Sequence, residues 1–208
     1  MSTNKVLLIN GSPNREGCTF TALTEVAKTL NENDFETEII QVGHKEYRGC
    51  LGCHVCYETK ECVFDDDVNE IRNRFSDYSG IVVGSPVYYA APNGALLAFL
   101  DRLFYRSGSD KTMIVGASVV SARRAGCTAA FDVLNKYFTL SGMPVASSQY
   151  WNMVHGTNAA EVLNDLEGLQ TMRTLARNMA FLMKSIHLGK EAYGLPEKEK
   201  RIFTNFVR

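Results

Sequence analysis

Short apolar runs alternate along this chain with amphipathic stretches, and that alternation constrains its fold more than any other feature. Val6-Leu7-Leu8-Ile9 is apolar at every position rather than every second one, and the turn signal Asn10-Gly11-Ser12-Pro13 closes it. A strand of that kind is buried on both faces. Thr37 to Val42, Ile81-Val82-Val83, Met113 to Ala117 and Val145 to Tyr150 read as four more strands. Helical stretches separate them: Thr19 to Leu30, Asp66 through Phe75, Gly94 to Phe104, Cys127 to Leu140, and a long one from Ala159 to Ile186. The first carries Leu23, Val26, Ala27 and Leu30 on one face. Asp66-Asp67 places acidic groups at the positive end of the second, so Asp65-Asp66-Asp67 reads as a helix start rather than a hard-cation site. The pattern predicts an α/β fold, a doubly wound five-stranded parallel sheet with helices on both faces.

Composition narrows the function classes. Its 208 residues suffice for one full core, with no repeat or linker dividing the chain. Lys and Arg number 22 against 23 Asp and Glu, so no long-range field collects nucleic acid or an anionic membrane. No run of 18 apolar residues is present, and Met1-Ser2-Thr3-Asn4-Lys5 leads into the first strand without a signal-peptide pattern. The expected location is the reducing cytoplasm, where six cysteines serve as thiols or ligands rather than disulfides.

Ligands of a doubly wound sheet bind at the carboxyl ends of its strands. After strand one, Gly11 to Thr19 supplies small and hydroxyl residues at a helix N-terminus, a ready anion site, with a plain capped turn as the alternative. No Lys follows Gly17 and no G-x-G-x-x-G is present, so a monophosphate suits this loop better than a triphosphate or a dinucleotide. After strand three comes Pro86-Val87-Tyr88-Tyr89, running on to Asn93. Its tyrosines can wall a planar ligand, although either could equally be core. After strand four, Val119, Ser121, Arg123, Arg124 and Gly126 offer donors and close approach, or in the arginines' case merely solvated charge. Together the loops describe a phosphate site beside a flat apolar slot.

The sharpest motif is Cys50, Cys53, Cys56 and Cys62, spaced C-x2-C-x2-C-x5-C in an otherwise polar segment. Four thiols on one loop suit a soft metal centre, iron–sulfur or zinc, with redox thiols as the third reading. The longer finger that separates the cysteine pairs of structural zinc sites is absent, which favours a single iron–sulfur cluster. His54 lies within the loop as a potential donor to sulfur. Cys18 and Cys127 read as packing residues, and His44, His155 and His187 show no site spacing.

Three segments now resemble one known group. Asn10-Gly11-Ser12-Pro13-Asn14, Gly84-Ser85-Pro86-Val87-Tyr88 and the cysteine loop followed by Asp65-Asp66-Asp67 are similar to the iron–sulfur flavoprotein family, within the flavodoxin-like NADPH-dependent FMN reductases. The resemblance spans roughly residues 5 to 180. It implies a flavodoxin-like FMN-binding domain over 1–187 with a cysteine-rich insertion at 47–65, followed by a C-terminal extension at 188–208. It implies FMN, with Ser12, Asn14, Gly17, Cys18 and Thr19 at the phosphate. Pro86, Val87, Tyr88, Tyr89 and Asn93, with the residues from Val119 to Gly126, would frame the ring. A [4Fe–4S] cluster on Cys50, Cys53, Cys56 and Cys62 completes the set. The implied activity is electron transfer from NAD(P)H or a reduced carrier to a small-molecule or ferredoxin-like acceptor. Tyr88, Tyr89 and Arg123 are the candidate contacts for nicotinamide or acceptor. A homodimer or homotetramer is expected, with the tail from Glu197 to Arg208 either covering a neighbour or standing as a solvated extension. The rival readings are a cluster-free NAD(P)H-dependent quinone or azo reductase, a non-catalytic flavodoxin-type carrier, and a zinc-stapled binding module.

Overall fold

A computed structural model of the chain describes residues 4–105, 110–200, 202–204 and 206, so Met1 to Thr3, Arg201 and Arg208 of the terminal segments lie outside it. In β1 (Lys5–Asn10), Val6 and Leu8 enter the core on one side of the sheet and Leu7 and Ile9 the core on the other. Both faces are sealed, so the run needs no alternation. β1 pairs in parallel with β2 (Glu36–Gln41) and β3 (Gly80–Tyr88). β5 (Val115–Ala122) and β6 (Met153–His155) extend the sheet to the order β2-β1-β3-β5-β6. Strand order reverses at β1, and the crevice at such a reversal is where doubly wound sheets bind ligands.

α1 (Cys18–Asn31) and α7 (Leu166–Tyr193) cover one face of the sheet. α3 (Asp67–Asn73), α4 (Gly94–Phe104) and α5 (Cys127–Leu140) cover the other. Among the described residues no helix is long and apolar enough to cross a membrane.

The structure departs from the sequence reading in four places. β3 and β5 run further than expected, because Ser85, Pro86 and their neighbours pair with Val120 and Ser121. Val119 and Ser121 are therefore strand residues, and Val119 is fully buried in the core. A sixth strand, β4 (Ala91–Pro92), folds back antiparallel on the end of β3. The expected strand from Val145 to Tyr150 makes one bridge, Val145 to Gly116. The Ser148 hydroxyl then donates to Tyr150 O and accepts from Tyr150 N, which turns the chain away. The edge position is refilled by β6. Finally, the long helix divides at Asp165, whose carboxylate accepts from Gly168 N and caps α7, leaving α6 (Ala159–Asn164) as a separate turn. α7 runs on to Tyr193, past residue 187.

Gly116 in β5 has no room for a side chain, since a Cβ there would lie 2.5 Å from Cγ of buried Phe138. Gly116→Ala is expected to cost about 1–3 kcal/mol through overpacking, read as a lower urea midpoint with an unchanged slope.

Candidate functional site

The β1–α1 loop is pressed against its neighbours by close backbone approach. Gly11 N donates to Gly84 O at 2.8 Å, and a Cβ on Gly11 would fall 2.4 Å from Leu96 Cδ2. The Asn10 carboxamide accepts from Ser12 N at 3.0 Å and the Ser12 hydroxyl from Asn14 N at 3.1 Å, which curls the loop inward. Ser12 is buried and Asn14 exposed. α1 starts behind Gly17 with no side chain capping it, so its first-turn N–H groups meet no side-chain acceptor there. The Thr19 and Ser121 hydroxyls, both buried, meet at 2.8 Å. Cys18 donates its thiol to Gly156 O, and burial raises that thiol's pKa.

The β3–β4 hairpin forms the opposite wall. Pro86 and Val87 are half-buried, Tyr88 is exposed, and Tyr89 stands fully in solvent. Tyr89 and Ala90 link paired strand residues with φ of +49° and +60°. That is a two-residue turn of the type that normally takes Asn-Gly, here carrying two side chains in the left-handed region. Gly126, at φ +89°, lets the β5–α5 turn approach, since a Cβ would sit 3.0 Å from Ala90 Cα. Arg123 and Arg124 lie exposed at that turn.

Asn93 plays a part that spacing alone does not suggest. It is buried, caps α4 by accepting from Ala95 N, and donates to Gly11 O at 2.7 Å and Gly43 O at 3.3 Å. It ties three loops of the rim together, and its amide faces protein groups. His155 and Gly156, at the end of β6, also reach this rim. They were missed because the edge strand was expected at Val145 to Tyr150.

Cys50, Cys53, Cys56 and Cys62 line one cavity, closed by Leu51, Val63, Phe64, Arg72, Arg102 and Tyr105 among others. A short helix, α2 (Val55–Thr59), carries Cys56 between left-handed His54 and Lys60. Among the described residues no three His, Cys, Asp or Glu side chains gather on the point that a single ion would occupy. Cys62 is the most firmly held. Its N–H donates to Asn69 Oδ1 at 2.7 Å, and Asn69 Nδ2 donates back to Cys62 O at 2.9 Å. Gly52 N donates to Cys50 Sγ at 3.5 Å. Tyr105 meets Tyr57 hydroxyl to hydroxyl at 2.8 Å, a contact that pushes its pKa up to about 12.

Arg102 on α4 is a further residue of this cavity, one that no sequence motif marks. Its side chain is 1% exposed, and it forms a bidentate pair with Asp66 at 2.7 and 2.8 Å. The same guanidinium donates from Nε to Cys62 Sγ at 3.2 Å and from NH1 to Arg48 O, with Phe64 covering its face. Burial would lower its pKa, but the Asp66 carboxylate and the Cys62 sulfur outweigh that and hold it above the ordinary value. Asp67 anchors the start of the loop through Lys45 and the Tyr47 hydroxyl. Burial pushes the Asp67 carboxyl up, and those two partners more than reverse the shift.

Comparison with known proteins now decides the family. Residues 4–158 match the NADPH-dependent FMN reductase family. An iron–sulfur flavoprotein of Methanocaldococcus jannaschii is 32% identical over 190 residues, covering 88% of this chain and 98% of that one. The chain belongs to the iron–sulfur flavoproteins of the NADPH-dependent FMN reductase family. A second iron–sulfur flavoprotein, from Methanosarcina thermophila, is 29% identical over 90% of this chain and 99% of its own. The structure of a flavodoxin from the domain Archaea superposes with a TM-score of 0.59 at 15% identity, over 86% of this chain and 99% of that one, which shows the shared flavodoxin-like fold. FMN-dependent electron transfer is thus the general class of an iron–sulfur flavoprotein such as this.

The residues present suit the groups that the family name implies. An uncapped helix start behind a curled loop suits a phosphate, and exposed Tyr88 and Tyr89 suit a flat ring. Four thiols around one cavity, with N–H donors to two of the sulfurs, form a donor set for iron and sulfide. The strained hairpin gives the test for this rim. Replacing Tyr89-Ala90 by Asn-Gly is expected to raise stability by about 1–2 kcal/mol. The same change weakens FMN retention, which unfolding curves and flavin fluorescence would report together.

Proposed function

We propose that this protein is an FMN-dependent oxidoreductase that takes electrons from NAD(P)H or a reduced carrier and passes them singly to a ferredoxin-like or small-molecule acceptor. The observation that carries the reading is the pairing on one chain of a phosphate-and-ring rim with four cysteines that line a single cavity. When bound, FMN supplies two-electron acceptance with one-electron release, and a [4Fe–4S] cluster supplies one-electron relay. Ser12, Asn14, Gly17, Cys18 and Thr19 would hold the phosphate, with the N–H groups of α1 neutralising its charge. Pro86 to Tyr89 and the turn from Arg123 to Gly126 would frame the ring, leaving Tyr88, Tyr89 and Arg123 to orient a nicotinamide or acceptor.

Cys50, Cys53, Cys56 and Cys62 would ligate the cluster. The compact C-x2-C-x2-C-x5-C spacing, without the longer finger that separates the cysteine pairs of structural zinc sites, favours a cluster over a single zinc. α4 sets about 14 Å along its axis between Asn93 at the rim and Arg102 at the cysteines, by the usual rise per residue. The proposed assembly is a homodimer or homotetramer in which the cysteine loop of one copy would serve the flavin of another.

The test is anaerobic mixing of the holoprotein with NADPH and NADH, following flavin bleaching and reduction of an added ferredoxin. Cys53→Ser is expected to keep flavin bleaching within about twofold and to cut ferredoxin reduction by about tenfold or more. Equal ferredoxin reduction by the variant would remove the cysteines from the electron path.

A further inference from the structure

The cysteine motif accounts for four ligands, yet the group that ties the loop to the folded core comes from 40 positions along the chain from Cys62. We propose that Arg102 is a positioning residue for the cluster: its Nε–H holds the Cys62 sulfur in place and raises the reduction potential of the group that the four cysteines carry. This rests on the reading that those cysteines ligate an iron–sulfur cluster.

Every edge of the guanidinium is assigned. Asp66 takes the NH1–NH2 fork, Arg48 O takes a second NH1 contact at 3.3 Å, and the Phe64 ring lies 4.8 Å from Cζ. That leaves Nε–H for Cys62 Sγ, and the buried side chain has no solvent-facing alternative. Asp66 offsets the formal charge of Arg102, so the sulfur meets a fixed N–H dipole rather than a loose cation. A hydrogen bond to a ligating sulfur withdraws electron density from it and favours the reduced form of the cluster. Cys62 is also the ligand whose backbone Asn69 fixes on both sides, whereas Cys50 and Cys53 are exposed. Arg102 thereby makes Cys62 the fixed corner on which the remaining ligands close. Lysine cannot replace it, since an ammonium has no planar fork to serve Asp66 while a separate N–H serves the sulfur.

The test compares full-length wild-type holoprotein, purified without oxygen, with Arg102→Lys. A second variant, Arg102→Met with Asp66→Asn, removes both charges and keeps a capping side chain on α3. FMN and iron per chain, an EPR-monitored redox titration and the rate of iron loss to a chelator are read for each. The expected result is unchanged FMN, faster iron loss, and a more negative cluster potential. The shift expected is a tenfold change in the oxidised-to-reduced ratio, about 59 mV for one electron. Wild-type potential and chelation rate in an FMN-replete variant would overturn the role of Arg102 while leaving the cluster intact. FMN loss in both variants would also overturn it, making Arg102 a framework residue. Wild-type protein without iron or sulfide would overturn the cluster reading, and this inference with it.

Discussion

α4 is pinned at both ends, and the rest of the molecule's chemistry hangs on that helix. At its start, Asn93 caps the helix and reaches the carbonyls of Gly11 and Gly43. Near its end, Arg102 is buried against Asp66, Cys62 and Arg48. Both anchors are costly to break. Removing the Asn93 amide strands buried carbonyls, and removing one partner of a buried ion pair leaves an uncompensated charge. Between them, Leu96, Phe99 and Leu100 fix the rotation of the helix on the sheet.

This arrangement gives the two sites different physical characters. The rim at the carboxyl edge is made of backbone: close glycine contacts, an uncapped helix start and a strained two-residue turn. What it offers a ligand is N–H groups and exposed rings. The cysteine cavity is made of side chains, gathered by a guanidinium, an asparagine and an acidic helix start. A cofactor that grips through a phosphate needs the first kind of site, and one that grips through sulfur needs the second.

Much of this was legible in the sequence. Non-alternating strands in β1 and β3, amphipathic helices and the compact cysteine spacing gave the layer architecture and the two places to look. The Asp66 cap was legible because N-capping is local. Other features depend on long-range partners. Arg102 sits in the apolar helix Gly94–Phe104 and reads there as a surface charge, since Asp66 and Cys62 lie 36 and 40 residues away. The edge strand was misplaced because Val145 to Tyr150 has strand-like character, while a local Ser148 turn and pairing to the far end of β5 put the strand at Met153–His155. Val119 was expected at a ligand and lies in the core, because β5 continues through two β-branched residues.

The account turns on one chain carrying both a flavin site and a cluster site. The most direct measurement is FMN, iron, acid-labile sulfide and zinc per chain on protein purified without oxygen. The account predicts one FMN with about four irons and four sulfides and no stoichiometric zinc. One FMN with neither iron nor sulfide, even after reconstitution, would contradict it and leave a flavin reductase with a thiol-bearing loop.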